Sequence, residues 1–187
     1  MIYPKKINAN KTDKVMKALL IASVVLSGIL ILIDKLTSNK ISWSALSIAG
    51  IIYVWVTVIY SIKKNTNIAG HVLIQTIAIS LLTVFIDYQI GFSGWSIDIS
   101  IPIIIIVANV TMLILTIVSY KKYIKYAIYQ LIIVLFSMLP VIFIGENIVR
   151  NPVLSIIATS ISILNFIVCI VLCTKDIKEA IIRKFHM

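Results

Sequence analysis

Six long apolar runs, separated by short polar segments, constrain this chain more than any other feature of its sequence. An α-helix rises about 1.5 Å per residue, so about 20 apolar residues cross a bilayer core that is about 30 Å thick. None of the runs alternates between apolar and polar residues as the strands of a membrane β-barrel do. The runs lie near residues 15–34, 42–62, 68–88, 99–119, 125–145 and 152–173. The sequence therefore predicts an all-α membrane protein whose six transmembrane helices form three helical hairpins.

Composition supports a lipid environment for most of the chain. Hydrophobic residues make up 60% of its 187 residues, and its mean hydropathy is +1.08. A soluble domain holds only about 45–50% apolar residues and lacks repeated uncharged runs of this length. We therefore expect a multi-pass protein of the cell membrane, and the class of soluble globular domains is excluded.

The segments outside the runs divide the chain into three parts. Residues 1–14 are polar and predict an irregular cytoplasmic N-terminal arm. Residues 15–173 form the predicted transmembrane domain, and residues 174–187 form a cytoplasmic tail. One helical face of this tail is apolar, which is typical of an amphipathic helix that lies on a membrane surface. The apolar residues of that face are Ile177, Ala180, Ile181 and Phe185.

The distribution of positive charge predicts the orientation of the chain. It carries 17 Lys and Arg against 7 Asp and Glu, a formal net charge of +10. These basic residues occupy the gaps between the runs, so we expect anionic lipid head groups as a partner and no nucleic acid. With the N-terminus in the cytoplasm, 14 of the basic residues lie inside. This bias predicts that both termini are cytoplasmic.

An internal similarity links the first two predicted hairpins. An Ile-Asp pair closes the first and third runs, and a Trp-Ser pair precedes or opens the run that follows. The pairs are Ile33-Asp34 with Trp43-Ser44, and Ile86-Asp87 with Trp95-Ser96. The third hairpin keeps only the outline, with Glu146 at its outer end. Two interpretations stay open: a threefold repeat of hairpins, or the likeness that isoleucine-rich spans share through composition.

Polar side chains inside the runs are the first candidates for function, because a polar group at membrane depth is costly unless it has a partner. His71 and Gln75 lie four residues apart in the third run and therefore share one helix face. With three amides of other runs they form a candidate polar cavity open to the cytoplasm. Its residues are His71, Gln75, Asn109, Gln130 and Asn165. The alternative is that these groups bond to one another and stabilise helix packing.

Three acids mark the outer ends of the predicted hairpins: Asp34, Asp87 and Glu146. They form a candidate outer acidic ring that attracts cations. The alternative is that each acid ends its helix at the level of the head groups. Proton transfer between Asp87 and His71 is not expected, because the helix between them is about 24 Å long.

No pattern typical of an enzyme is visible. The chain has no Gly-rich phosphate loop, no metal-ligand spacing and no nucleophile elbow. Cys169 and Cys173 lie four apart in the last run and match no zinc or disulfide framework. We therefore expect no catalytic residue, no metal and no cofactor.

Prolines predict local features of three helices. Pro140 lies inside the fifth run, where the missing N–H removes a hydrogen bond and is expected to kink the helix. Asn151 before Pro152 predicts an N-cap with proline in the first turn of the sixth helix. The segment from Ser100 to Pro102 predicts the same kind of start for the fourth helix.

The opening Tyr3-Pro4-Lys5-Lys6-Ile7-Asn8, with the Ile-Asp and Trp-Ser pairs, resembles a family of small six-helix bacterial integral membrane proteins of unknown function. The resemblance covers most of the chain and implies the six-helix fold without an activity. Some members of that family carry a zinc ribbon before the Tyr-Pro segment. This chain has no cysteine before Cys169, so a zinc-dependent cytoplasmic function is not expected.

Two functions are compatible with these features. The first is a non-enzymatic membrane accessory or interaction protein, with another membrane protein or a second copy as its partner. It is favoured because intramembrane charge is almost absent and the polar residues suffice for helix packing. The second is a small transporter or channel with an inward-facing cavity around His71 and Gln75.

Overall fold

In the computed structural model, every described segment outside the turns is helical. The backbone is described for residues 9–37, 42–64, 68–118 and 124–185, and the side chains for 14–37, 42–59, 68–118 and 128–171. The α-helices are α1 (Ala9–Thr37), α2 (Trp43–Lys64), α3 (Ile68–Ile90), α4 (Ile101–Val118), α5 (Ile124–Phe136), α6 (Leu139–Gly145) and α7 (Val153–Phe185). A π-helix (Ser96–Ser100) precedes α4 directly. Within these ranges there is no strand, which confirms the predicted all-α class.

Five helical segments are long and apolar enough to cross a membrane. They are Lys14–Thr37, Ile68–Ile90, Ser96–Val118, Ile128–Gly145 and Val153–Val171. The second predicted span is also apolar, but its part with described side chains, Trp43–Ile59, is shorter than a span requires. All six predicted runs are therefore helical, and five of them have the length of a membrane span.

The chain divides into two compact units, residues 1–52 and 53–187, and the boundary falls inside α2. In the first unit, none of the residues in the apolar window of α1 is buried. Near the end of α1, Asp34 Oδ2 accepts a hydrogen bond of 2.7 Å from Ser44 Oγ at the start of α2. This bond connects the last part of α1 to the start of α2 within the first unit.

In the second unit, α4 packs against α3, α5 and α7, and α7 also packs against α5 and α6. Ala69, Ala108 and Ala158 are buried at these contacts, and their small side chains allow the helix backbones to approach closely. One apolar cluster joins α3, α4 and α5 around Met112, and a second joins α4 and α7 around Ile105. The central helix α4 therefore presents two of its faces to neighbouring helices.

The predicted kink at Pro140 is confirmed as a break in the fifth apolar segment. α5 ends at Phe136, α6 begins at Leu139, and a two-residue turn lies between them. Proline has no N–H, so the regular bond to the carbonyl four residues earlier cannot form. Within the turn, the Met138 N–H bonds to the Leu135 carbonyl at 3.1 Å, which is the tighter three-residue pattern.

Three helix boundaries differ from the predicted ones. α1 begins at Ala9, so an irregular arm over residues 1–14 is wrong for the last part of that segment, which contains no proline or glycine to stop a helix. The fourth apolar segment begins at Ser96 with the π-helix, several residues before the predicted start at Ser100 to Pro102. α7 continues to Phe185, so the tail prolongs this helix instead of forming a separate one.

The start of the sixth apolar helix agrees with its predicted cap. The Val153 N–H bonds to Asn151 Oδ1 at 3.4 Å, and the Ile156 N–H bonds to the Pro152 carbonyl at 2.9 Å. Asparagine accepts a bond from an N–H that the first helical turn leaves without a partner, and proline needs none. The side chains of residues 172–187 and most basic residues used for the orientation lie outside the described ones, so the membrane-surface position of the tail stays a prediction.

Candidate functional site

Six buried polar side chains from α4, α5, α7 and the turn after α5 form one hydrogen-bonded cluster, which we name the amide network. They are Asn109, Thr116, Gln130, Ser137, Ser162 and Asn165, and each is at most 1% exposed. Helical spacing accounts for the alignment within each helix. Asn109 and Thr116 lie two turns apart on α4, and Ser162 and Asn165 lie one turn apart on α7.

Asn109 is the centre of this network. Its Nδ2 donates to Ser137 Oγ at 3.0 Å and to Ser162 Oγ at 2.9 Å, and it also contacts the Ile105 carbonyl of its own helix at 3.0 Å. Its Oδ1 accepts from Asn165 Nδ2 at 2.8 Å. One side chain of α4 therefore bonds to α7 and to the turn that Pro140 creates in the fifth segment.

Gln130 extends the network along α5. Its Nε2 donates to Asn165 Oδ1 and, at 3.3 Å, to the Asn165 carbonyl. Its Oε1 lies 3.2 Å from Thr116 Oγ1, which also donates to the Met112 carbonyl at 2.8 Å. The path from Thr116 through Gln130 and Asn165 to Asn109 joins three helices by neutral groups alone.

The chemistry of the amide network is that of matched donors and acceptors. The hydroxyls of Ser137 and Ser162 donate to the carbonyls four residues earlier, at 2.8 and 2.9 Å, and accept from Asn109. All three amides both donate and accept within the cluster. Such a network stabilises packing because no buried amide is left without a partner.

A second polar cluster joins α2 to α3 within the second unit. Tyr53 Oη donates to Gln75 Oε1 at 2.5 Å, and Gln75 Nε2 donates to Thr57 Oγ1 at 3.1 Å. Thr57 Oγ1 lies one turn after Tyr53 and bonds to its carbonyl at 3.0 Å. Gln75 thus makes one hydrogen bond through each end of its amide.

The five residues predicted to line a cavity therefore fall into two groups. Asn109, Gln130 and Asn165 meet in the amide network, whereas Gln75 bonds to α2. His71 is half-buried on α3, one turn before Gln75. These positions agree with the alternative of hydrogen bonds between helices, and the cavity stays a prediction.

Asp87 near the end of α3 has the densest set of hydrogen bonds to one carboxylate among the described residues. It is completely buried. Its Oδ1 accepts from the N–H and the hydroxyl of Ser93 at 3.0 and 3.1 Å. Its Oδ2 accepts from the Gly94 N–H at 3.1 Å and from the N–H and hydroxyl of Ser96 at 3.3 and 2.8 Å. This carboxylate holds the α3 turn and the first residue of the π-helix together.

The three acids of the predicted outer ring have different surroundings. The placement of Asp87 in a solvent-facing ring is corrected by the structure. Its carboxylate is buried and faces its own turn, because five donors of that turn occupy both oxygens. Glu146 is exposed after α6. Asp34 bonds to Ser44 within the first unit. In both Ile-Asp and Trp-Ser pairs the acid accepts from the serine, which supports the alternative that these acids end their helices.

The residues that sequence reasoning missed are hydroxyl groups. Thr116 and Ser137 belong to the amide network, and Ser93 belongs to the Asp87 turn. A signal existed for Ser137, which lies three residues before Pro140 where the helix must open. Another existed for Ser93, because serine and glycine after an aspartate at a helix end are typical of a turn that the carboxylate organises. In the described part of the chain, no three His, Cys, Asp or Glu residues gather as metal ligands.

The model of a protein family described as a family of unknown function (DUF6320) matches residues 3–187. The chain belongs to this family. Membership of DUF6320 confirms the resemblance noted from the Tyr-Pro opening and covers both units of the structure. That members of the family are bacterial and that some carry a zinc ribbon stay predictions. No curated protein matches the chain, and no solved structure matches it.

Proposed function

We propose that this member of DUF6320 is a multi-pass integral membrane protein that acts as a non-enzymatic accessory or interaction protein. Support for the membrane comes from the five helices long and apolar enough to span it. The exposed isoleucine, leucine and valine side chains along α1, α4 and α7 favour lipid as the surrounding solvent, because water-soluble proteins rarely expose such extended apolar surfaces. The clustering of basic residues favours cytoplasmic termini.

The amide network is the observation that carries the accessory role. A transport site offers polar atoms to a substrate or to water, and these atoms must lack permanent protein partners. In the amide network the donors of Asn109, Gln130 and Asn165 are already bonded to other side chains or carbonyls. The oxygens of these three amides likewise accept hydrogen bonds within the network. Its arrangement favours a rigid bundle whose outer surface, and not its interior, meets the partner.

Flux and complex formation test this proposal together. The purified chain in proteoliposomes is expected to pass none of a panel of monovalent ions, divalent ions and neutral solutes above empty vesicles. Extraction of native membranes into lipid nanodiscs is expected to give a particle larger than one copy, with a partner in fixed stoichiometry. Wild-type flux that Gln75→Ala abolishes would establish a transporter instead. A monomer without a partner, together with such flux, would refute the accessory role.

A matched pair of variants separates loss of a conducting site from loss of folding. Gln75→Ala removes the amide that bonds to α2, whereas Thr111→Ala removes a hydroxyl that donates to the Val107 carbonyl of its own helix at 2.7 Å. Both variants are expected to elute as folded particles of wild-type size. If only Gln75→Ala changed a flux while both stayed folded, the cavity interpretation would replace the proposed one.

A further inference from the structure

The turn after α3 places an aromatic side chain in an unusual backbone conformation. Phe92 has a φ of +53°, and the flanking Gly91 and Gly94 have φ of +110° and +86°. A positive φ is rare for a bulky residue, because its Cβ approaches the backbone carbonyl. The conformation must therefore be imposed by the rest of the turn.

Asp87 and α3 impose the positive φ of Phe92. The Phe92 N–H bonds to the Asp87 carbonyl at 2.8 Å, and the Gly91 N–H bonds to the Tyr88 carbonyl at 3.3 Å. The buried Asp87 carboxylate then holds the two residues that follow Phe92, through the N–H groups of Ser93 and Gly94. Phe92 and the two residues after it are thus all bonded to one residue of α3, Asp87.

This rigid turn directs an apolar side chain outward. Phe92 is 50% exposed, and its neighbours Tyr88 and Ile90 are 70% and 52% exposed. Residues 88–99 contain no Lys or Arg, and the acid among them, Asp98, accepts the backbone N–H of Arg150 at 2.9 Å. The turn therefore adds the ring of Phe92 to an exposed surface at the end of α3 that already carries Tyr88 and Ile90.

The position of the turn points to lipid as the occupant of this surface. The apolar segment Ile68–Ile90 has 23 residues and is followed by Ser96–Val118, also of 23 residues. At about 1.5 Å per residue each is slightly longer than the hydrocarbon core, so the turn between them comes at the level of the head groups. Aromatic side chains are favoured at that depth.

We propose that the turn from Gly91 to Gly94 is a preformed membrane anchor that inserts Phe92 among the head groups and upper acyl chains beside α3. Because the buried Asp87 carboxylate preorganises the turn, the ring enters lipid without a further ordering of the backbone. This anchor rests on the proposed membrane-spanning function, since a chain outside the bilayer would have no lipid at that level.

Site-directed fluorescence in vesicles tests the anchor. Cys169 and Cys173 are replaced by alanine, and an environment-sensitive label is attached at Phe92→Cys, Leu81→Cys or Asn147→Cys in phosphatidylcholine vesicles. Leu81 is exposed within α3 and reports on the span itself. Asn147 is an exposed, polar residue with a φ of +57° after α6 and is the matched control for a strained turn.

The expected result differs for each label. At Phe92 the emission shifts to shorter wavelength, and lipids with a nitroxide near the head group quench it more than lipids with a deep nitroxide or aqueous iodide do. At Leu81 the deep nitroxide quenches most, and at Asn147 iodide quenches most. Adding Asp87→Asn is expected to increase the mobility of a spin label at Phe92 and to leave one at Leu81 unchanged.

Each of three other outcomes would refute the anchor, and one of them would also refute the membrane span. Iodide quenching at Phe92 with lipid quenching at Leu81 would refute the anchor and leave the membrane span intact. A Phe92 label shielded from both iodide and lipid would show that protein covers the turn, which also refutes the anchor. No lipid quenching at Leu81 would refute the membrane span, and the anchor with it.

Discussion

Replacing Asn109 by alanine tests the amide network most directly. The substitution removes the Nδ2 bonds to Ser137 and Ser162 and the Oδ1 that accepts from Asn165. The two serine hydroxyls keep their bonds to carbonyls of their own segments. Asn165 loses the acceptor for its Nδ2, which stays completely buried. The damage is therefore concentrated on the contact between α4 and α7.

The expected loss of stability follows from these bonds. Interhelical hydrogen bonds in membrane proteins contribute about 0.6 kcal/mol on average and at most about 1.7 kcal/mol. A buried donor left without an acceptor costs a further ~1–3 kcal/mol. The three lost bonds use the two hydrogens of Nδ2 and one oxygen of the same amide, so their contributions are not independent. We therefore expect Asn109→Ala to lower the free energy of unfolding by about 2–4 kcal/mol.

The assay is reversible unfolding in mixed micelles, with the free energy of unfolding extrapolated to zero denaturing detergent. Thr111→Ala on the same helix removes only a bond to its own turn and is expected to cost less than about 0.5 kcal/mol. A double-mutant cycle with Asn165→Ala is expected to give a coupling energy of about 0.5–2 kcal/mol. Equal losses for Asn109→Ala and Thr111→Ala, or zero coupling to Asn165, would refute the network as a stabilising element.

Three further predictions concern the turns and the orientation. Asp87→Asn is expected to lower the free energy of unfolding by about 2–3 kcal/mol, because the NH₂ group of the new asparagine would face N–H donors. Asp34→Asn is expected to lower the free energy of unfolding by less than about 1 kcal/mol. Detergent unfolding of both variants measures the difference, and equal losses would contradict this prediction. Gly94→Ala, at a φ of +86°, is expected to cost about 1–2 kcal/mol in the same assay through backbone strain, and a neutral effect would count against the turn conformation. Lys63→Cys and Lys121→Cys are expected to react with a membrane-impermeant thiol reagent only after the cells are opened, and labelling of intact cells would reverse the proposed orientation.

In the two sets of Ile-Asp and Trp-Ser pairs, the same residue types form different numbers of hydrogen bonds. Asp34 accepts a bond from Ser44, and Asp87 accepts bonds from Ser96 and from the turn before it. In each case the serine that opens one helix bonds to the acid near the end of the previous helix. This agreement favours the interpretation that the first two predicted hairpins are a repeat, whereas Glu146 at the outer end of the third predicted hairpin lies exposed.

Helix content and the break at Pro140 were predictable from the sequence because each depends on local chemistry, and the family was predictable because it is defined by sequence similarity. A run of about 20 apolar residues has few ways to satisfy its backbone other than a helix. Proline lacks an N–H wherever it occurs, so the opening near Ser137 needed no knowledge of the neighbouring helices. The exact start of α1 was not predictable, since polar residues without proline or glycine continue a helix as readily as they end it.

Only the tertiary structure decided which polar groups meet. The bonds of Asn109 to Ser137, Ser162 and Asn165 join residues 28, 53 and 56 positions apart. Their formation depends on how each helix is rotated about its axis, and a uniformly apolar run contains little information about that rotation. Gln75 bonds to Tyr53 and Thr57 of α2 and not to the other amides, and the Asp87 carboxylate is buried against its own turn. The sequence determined that polar groups inside apolar helices need partners, and the packing of the helices determined the partner of each.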